Sequence, residues 1–289
     1  MTTINNGIIS IAVKALGAEL CSLKRAGETH EYMWTGNPEF WSGQSPVLFP
    51  IVGSVQNETT EINGQVYSFK NHGFARRQEF QLIKKLDNKL VFSLTENEET
   101  LKSYPFKFEL RLSYTLIDSE VQIAYEVRNT DYQEIYFQLG THPGFNCPMK
   151  DGLSLNDYHL EFSDLEDAKR YFVNDSNLNI AGKEQVVFNN ANMLPLNHEL
   201  FYEGALIFRD LKSKSVELKS NKGHRSLRMS WFNFPYMGIW QPKNAPFICI
   251  EPWHGLGDSD THRTPFKNKE MIVTLQPDEV FHAAITIEV

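Results

Sequence analysis

Leu110-Arg111-Leu112-Ser113-Tyr114-Thr115-Leu116 and Val121-Gln122-Ile123-Ala124-Tyr125-Glu126-Val127 alternate apolar with polar or small residues at every second position. Successive side chains of a strand point to opposite faces, so each segment predicts a half-buried strand with one apolar face. The four residues between them, Ile117-Asp118-Ser119-Glu120, form a polar connection short enough to close a hairpin. The same alternation recurs at Ile9–Lys14 and Leu227–Trp231, and strand-like runs occur at Phe80–Ile83, Val91–Leu94, Ile135–Leu139, Val216–Leu218, Phe247–Ile250, Met271–Leu275 and Val280–Ile287. Helical signal is confined to Glu96–Tyr104, ended by Pro105, and to Asp164–Tyr171. More than ten short antiparallel strands predict an all-β sandwich or barrel, because two facing sheets bury both apolar faces. The Asn- and Asp-rich stretch from Asp151 to Asn197 reads as long loops over one rim.

The 289 residues can bury a large core, and with no linker, low-complexity tract or repeat they read as a single domain, 1–289. Aromatic residues make up 12% of the chain, which suits a sheet-rich core and surfaces for stacking. A net charge of −8, without basic clusters beyond short pairs such as Arg76-Arg77 and Lys84-Lys85, argues against nucleic-acid or acidic-membrane partners. The Met1–Asn6 start lacks the charged and apolar regions of a signal peptide, and no apolar run approaches the length of a membrane span. A soluble, cytoplasmic protein, monomer or homodimer, is expected. Cys21, Cys147 and Cys249 are odd in number and far apart, so neither a disulfide framework nor a structural zinc site is expected, and Cys249 inside Phe247-Ile248-Cys249-Ile250 reads as a buried thiol.

Three segments carry the chemistry: Asn71-His72-Gly73-Phe74-Ala75-Arg76, Thr141-His142-Pro143-Gly144-Phe145-Asn146 and Cys249-Ile250-Glu251-Pro252-Trp253-His254-Gly255. Each sets an ionisable residue beside Gly or Pro at the end of an apolar run, where the chain can leave the sheet and aim that side chain into a cleft. Glu251 follows an apolar strand directly, and a carboxylate there costs desolvation unless it is paired or catalytic; burial raises its pKa toward that of a useful base. His142 is fixed in extended geometry by Pro143, and its ordinary pKa near neutrality suits a general acid. His72 precedes a glycine in polar surroundings. Arg76 follows at an even spacing that places it on the same side if the strand continues, as a fixed charge for a substrate oxygen, while Arg77 faces solvent. Trp240 and Trp253 offer flat faces on which the C–H groups of a sugar ring can stack. His254, His262 and His282 lack metal-ligand spacing, so no metal is expected.

Together these segments resemble the aldose 1-epimerase (galactose mutarotase-like) family, in its divergent bacterial LacX-type branch. The resemblance extends along the chain through Phe49-Pro50-Ile51-Val52-Gly53, Asn63-Gly64-Gln65-Val66-Tyr67, Ser103–Phe108, Phe208-Arg209-Asp210 with Ser213, Gly238-Ile239-Trp240 and Ile250–Gly255. It implies an antiparallel β-supersandwich, no cofactor, and interconversion of the α and β anomers of a free aldose. By the same resemblance Glu251 is the general base for the C1 hydroxyl, His142 the general acid for the ring oxygen, His72 and Arg76 hold substrate, and Asp210 binds sugar hydroxyls.

One departure stands out. Family members often carry an arginine after the Phe-Pro-x-x-Gly segment, and here Ser54 follows Gly53. The competing readings are a non-catalytic sugar-binding or sensor protein, an epimerase of a hexose 6-phosphate, and a glycoside hydrolase using Glu251 with Asp210, the one carboxylate pair that the motifs offer. No basic cluster for a phosphate is evident, which favours neutral sugars.

Overall fold

A computed structural model describes all 289 residues, Met1–Val289. The hairpin forms as expected: Phe108–Ile117 and Glu120–Asn129 pair from Ile117↔Glu120 to Phe108↔Asn129 across a two-residue turn with Asp118 at φ 49°. It sits inside a 15-stranded sheet whose neighbours run Val47–Leu48, Leu139–Thr141, Phe247–His254, Tyr236–Trp240, Leu206–Arg209, His159–Val173, Ser215–Lys219, Leu227–Phe232, Val280–Glu288, Glu120–Asn129, Phe108–Ile117, Lys89–Thr95 and Gln81–Leu86. Gly144–Asn146 also pairs with Phe247–His254, and Asn179–Pro195 with His159–Val173. A three-stranded sheet (Thr2–Asn5, Ile9–Val13, Leu20–Arg25) and two small pairs, Ile135–Phe137 with Val273–Leu275 and Thr59–Ile62 with Gln65–Ser68, complete the strands. The named pairings are antiparallel throughout. This is the all-β supersandwich, and one apolar core draws residues from Ile4 to Val289.

Of the two expected helices one forms. Glu98–Ser103 is helical, started by Asn97, whose side chain accepts from the Glu99 and Thr100 amides while Thr100 Oγ1 accepts from the Asn97 amide. Asp164–Tyr171 is instead part of the His159–Val173 strand, and the presumed rim loops from Asp151 to Asn197 contain the two longest strands of the molecule. The reason is that Glu166 and Arg170 take inward positions in the alternation. Glu166 accepts from the Lys212 and Ser213 amides, and Arg170 donates from Nη1 to the Leu200 carbonyl and lies over the Phe172 ring. Beyond Asn179, the partner strand Asn179–Pro195 pairs on one side only and is largely exposed, so it carries no apolar face to read. No helix is long and apolar enough to cross a membrane.

The Phe247–His254 strand positions the site. Its even-numbered Ile248 and Ile250 enter the main core, whereas Phe247, Cys249, Glu251 and Trp253 point to the other face. Glu251, expected at a strand end, therefore lies within the strand, which continues through Pro252 to His254. The Ile250 amide donates to the Pro143 carbonyl, so Pro252, two residues on, turns its missing amide to that same neighbour. There the neighbour breaks, between Leu139–Thr141 and Gly144–Asn146, and the break carries His142 beside Glu251.

Candidate active site

A cavity of about 550 Å³ opens at this break. Glu251, His142, His72, Arg76, Trp240 and Trp253 line it, although they come from widely separated parts of the chain. Asp210 does not: it follows the Leu206–Arg209 strand in a turn at φ 55°, exposed, while Ile207 of that strand supplies the cavity wall. The Glu251–Asp210 pair required by the hydrolase reading is therefore not formed around this cavity.

His142 Nε2 and Glu251 Oε2 are 3.1 Å apart, and the two residues are 7% and 1% exposed. At that depth charge is costly. Burial pushes the Glu251 carboxyl well above the usual carboxylate range, opposed in part by the nearby Trp253 indole N–H, which makes no hydrogen bond of ordinary geometry. Burial, with smaller contributions from His72 and Arg76, holds His142 well below the usual histidine range. The two groups thus act as a coupled pair that carries one proton between them over a wide pH range.

His72 is built differently from expectation. No strand continues through it: His72 takes a left-handed conformation (φ 62°), Gly73 follows at φ 69°, and Ala75–Arg77 is a 3₁₀ turn. The His72 amide donates to the Gly53 carbonyl at 2.9 Å, and the Gly53 amide donates to His72 Nδ1 at 3.1 Å. That bond assigns the neutral ring's proton to Nε2, leaving it free to donate into the cavity. Burial, then Arg76 and Arg77, lowers the His72 pKa to about 3, so the ring is a neutral donor at physiological pH. Gly73 permits this turn, since a Cβ there would lie 2.2 Å from the Phe49 carbonyl oxygen. Arg76 still reaches the cavity, and Arg77 is exposed with Nη1 donating to the Gly73 carbonyl.

Aromatic rings frame the Glu251–His142 pair. Trp41 stacks on the His142 ring (centroids 4.8 Å, 28°), Trp240 meets His142 edge-on at 5.6 Å, and Trp253 lies 6.4 Å from His72. Trp253 fits because two glycines in the adjoining strands, Gly140 paired with it and Gly238 paired with Glu251, leave room: a Cβ on Gly140 or Gly238 would come within 2.9 or 2.8 Å of the indole. Trp41 was not singled out in the sequence; its Phe40-Trp41-Ser42-Gly43 setting, an aromatic pair before a glycine in a strand-free loop, is the one local signal for it.

The sequence reading also missed the far wall. Asn174, Asp175, Asn177, Asn179 and Lys183 reach the cavity from the tip of the hairpin between His159–Val173 and Asn179–Pro195. The tip is fastened across the mouth: the Asn179 amide donates to the Asp258 carbonyl, the Asp260 amide to the Asn179 carbonyl, and Asn179 Nδ2 to the Gly257 carbonyl. Asp258 is itself held by the buried Lys269 and by the Gln56 amide. Ser54, where the resemblance leads one to expect arginine, is absent from the lining, and its hydroxyl donates to Asn71 Oδ1 at 3.1 Å beside the cavity.

All three cysteines are free and buried. His142, Cys249 and Glu251 nevertheless form one cluster of metal-capable groups, with ligand atoms within 4.8 Å of one another, which sequence spacing did not reveal.

A family model for aldose 1-epimerase matches residues 1–265. Protein LacX (plasmid) of Lactococcus lactis subsp. lactis is 34% identical over 284 residues, covering 95% of this chain and 94% of LacX. The crystal structure of a galactose mutarotase related enzyme from Lactobacillus acidophilus superposes with a TM-score of 0.94 at 32% identity, over 99% of this chain and 96% of that one. A galactose mutarotase-like protein from Lactobacillus casei gives 0.93 at 32% identity, over 100% and 99%. With sequence, fold and extent of match in agreement, the chain belongs to the aldose 1-epimerase family.

Proposed function

We propose that this protein interconverts the anomers of a free, neutral aldose by acid–base ring opening at C1. The observation that carries the reading is the buried Glu251–His142 contact of 3.1 Å at the wall of a polar and aromatic cavity. In the reactive form the pair's one proton has passed from Glu251 to His142, so that Glu251 as carboxylate removes the proton from O1 while His142 as imidazolium protonates O5, and the C1–O5 bond opens. The pair is then neutral, the form that burial favours, and it stays neutral while the aldehyde turns about C1–C2. Reclosure on the other face of the aldehyde reverses both transfers, so the pair ends as it began. Each positioned group contributes roughly 10²–10⁴-fold to a reaction that already proceeds in water.

Around that chemistry His72 Nε2–H and Arg76 donate to sugar oxygens, and Trp240 and Trp253 pack against the ring's C–H face. The amide side chains and Asp175 of the hairpin tip read hydroxyls at the opposite edge. Neutral sugars are favoured over phosphates because Lys183, the second cation of the lining, is paired with Glu203 at 2.9 Å, which leaves Arg76 without a companion. The reading takes residues 1–289 as one domain, supported by the core that spans both ends of the chain.

Arg76→Ala is expected to raise KM at least about tenfold with kcat changed only a few-fold, because a charge that holds a sugar oxygen throughout contributes uniform binding. Steady-state mutarotation across a sugar concentration series reads this out; an unchanged KM removes Arg76 from the binding set.

The pH profile follows from the coupled pair. Glu251 is raised and His142 lowered, so between those two limits the pair holds one proton; below the lower limit a second proton disables the base, and above the upper limit the acid is gone. His72, at about 3, does not titrate near neutrality. Polarimetric kcat/KM is therefore expected to show no step at the ordinary histidine value near 6.5, and a step centred there contradicts the coupled-pair account.

A further inference from the structure

We propose that His142, Cys249 and Glu251 form a binding site for a divalent soft-to-borderline cation such as Zn²⁺, and that this metal and the sugar exclude one another. The metal site needs only these three side chains, whereas the exclusion of sugar rests on the reading of the cavity as the sugar site.

An imidazole nitrogen, a thiol sulfur and a carboxylate oxygen, all buried, lie within 4.8 Å of one another. Tetrahedral zinc with bonds of 2.0–2.3 Å sets its ligands roughly 3.3–3.8 Å apart. His142 and Glu251 are already at 3.1 Å, so rotamer adjustments of about 1 Å at Cys249 close the set. The strand fixes two of the three: Cys249 and Glu251 are two residues apart on one face of Phe247–His254, and His142 comes from the break in its neighbour. Cys249 has room because a glycine sits opposite; a Cβ on Gly144 would lie 3.4 Å from its sulfur.

Charge argues for the metal as well. Each group alone resists ionisation in this apolar setting, but Zn²⁺ with one thiolate, one carboxylate and a neutral imidazole sums to zero, the arrangement in which buried charge is tolerated. Three protein ligands leave the fourth position for a water molecule. Imidazole and thiolate favour zinc over magnesium or calcium. A cation so placed takes the proton positions of the acid–base pair, which is why it excludes the sugar's anomeric centre.

Metal-free protein with reduced thiols is titrated with Co²⁺, a spectroscopic stand-in for Zn²⁺. One equivalent is expected to bring up near-ultraviolet thiolate-to-cobalt absorption that Zn²⁺ then bleaches. Cys249→Ser should lose that absorption and weaken Zn²⁺ binding, measured by calorimetry, at least about tenfold, while Cys21→Ser leaves both as in wild type. If Cys249→Ser does not fold by circular dichroism, Glu251→Gln takes its place, keeping the thiolate band with affinity reduced by a similar factor. Absence of the band in wild type, its survival in Cys249→Ser, or unchanged affinity in Glu251→Gln overturns the site. In a parallel arm, Zn²⁺ should slow mutarotation and a chelator should restore it. If no mutarotation is seen at all, the cobalt arm still decides the metal site alone.

Discussion

Glu251→Gln is expected to lower kcat for mutarotation at least about 100-fold while leaving sugar affinity within a few-fold. Glu251 is 1% exposed, held within a strand, and 3.1 Å from His142, so the amide fits the same space and keeps a polar contact with the ring. What it cannot do is accept the C1 hydroxyl proton. The loss therefore falls on the chemical step and not on binding. His142→Asn should behave alike, and because the pair works as one unit, the double variant should be scarcely worse than either single one. Polarimetry on a fresh α-anomer, with affinity taken from sugar-induced thermal shifts, makes the comparison. Retention of more than about a tenth of wild-type kcat in Glu251→Gln removes the general-base role, since a positioned base contributes at least about 10²-fold.

Gly73→Ala is expected to cost more than about 2 kcal/mol of stability and most of the sugar affinity. Gly73 stands at φ 69°, and the added methyl carbon would fall 2.2 Å from the Phe49 carbonyl oxygen and 2.5 Å from its carbon. Backbone cannot yield as a flexible side chain can, so either the 70–77 turn or the Phe49-Pro50 segment must move. The Phe74 and Ala75 amides, both of which donate to that Phe49 carbonyl, move with it, and His72 and Arg76 lose their aim. Denaturant unfolding measures the first effect and sugar binding the second; a variant as stable as wild type shows that the turn can relax without cost.

How far these outcomes could be foreseen differs by element. The Phe108–Ile117 and Glu120–Asn129 hairpin was legible because one face is apolar at every second residue and the turn is short. The His159–Val173 and Asn179–Pro195 hairpin was not: the first strand turns Glu166 and Arg170 inward against partners distant in sequence, and the second exposes most of its residues. Its 174–177 tip is irregular, within a stretch expected to be loop from Asp151 to Asn197, but its fastening to Gly257, Asp258 and Asp260 depends on contacts about 80 residues away that local pattern does not record. In the site, Glu251 and His142 announced themselves by charge beside proline and glycine. Asp210, assigned by the resemblance alone and flanked by neither proline nor glycine, lies outside the cavity, because one residue beyond the end of a strand the chain can face either way. Trp41 gained its place only through stacking on His142, a tertiary fact.

The family assignment fixes the fold; the claim that the Glu251–His142 pair performs mutarotation rests on geometry. The most direct measurement is the approach to anomeric equilibrium of freshly dissolved α-glucose and α-galactose, followed by polarimetry at near-neutral pH with increasing wild-type protein. The account predicts a first-order rate above that of buffer, rising in proportion to protein for at least one neutral aldose. A rate indistinguishable from buffer for every neutral aldose tried, with acceleration for a hexose 6-phosphate or for no sugar at all, contradicts it.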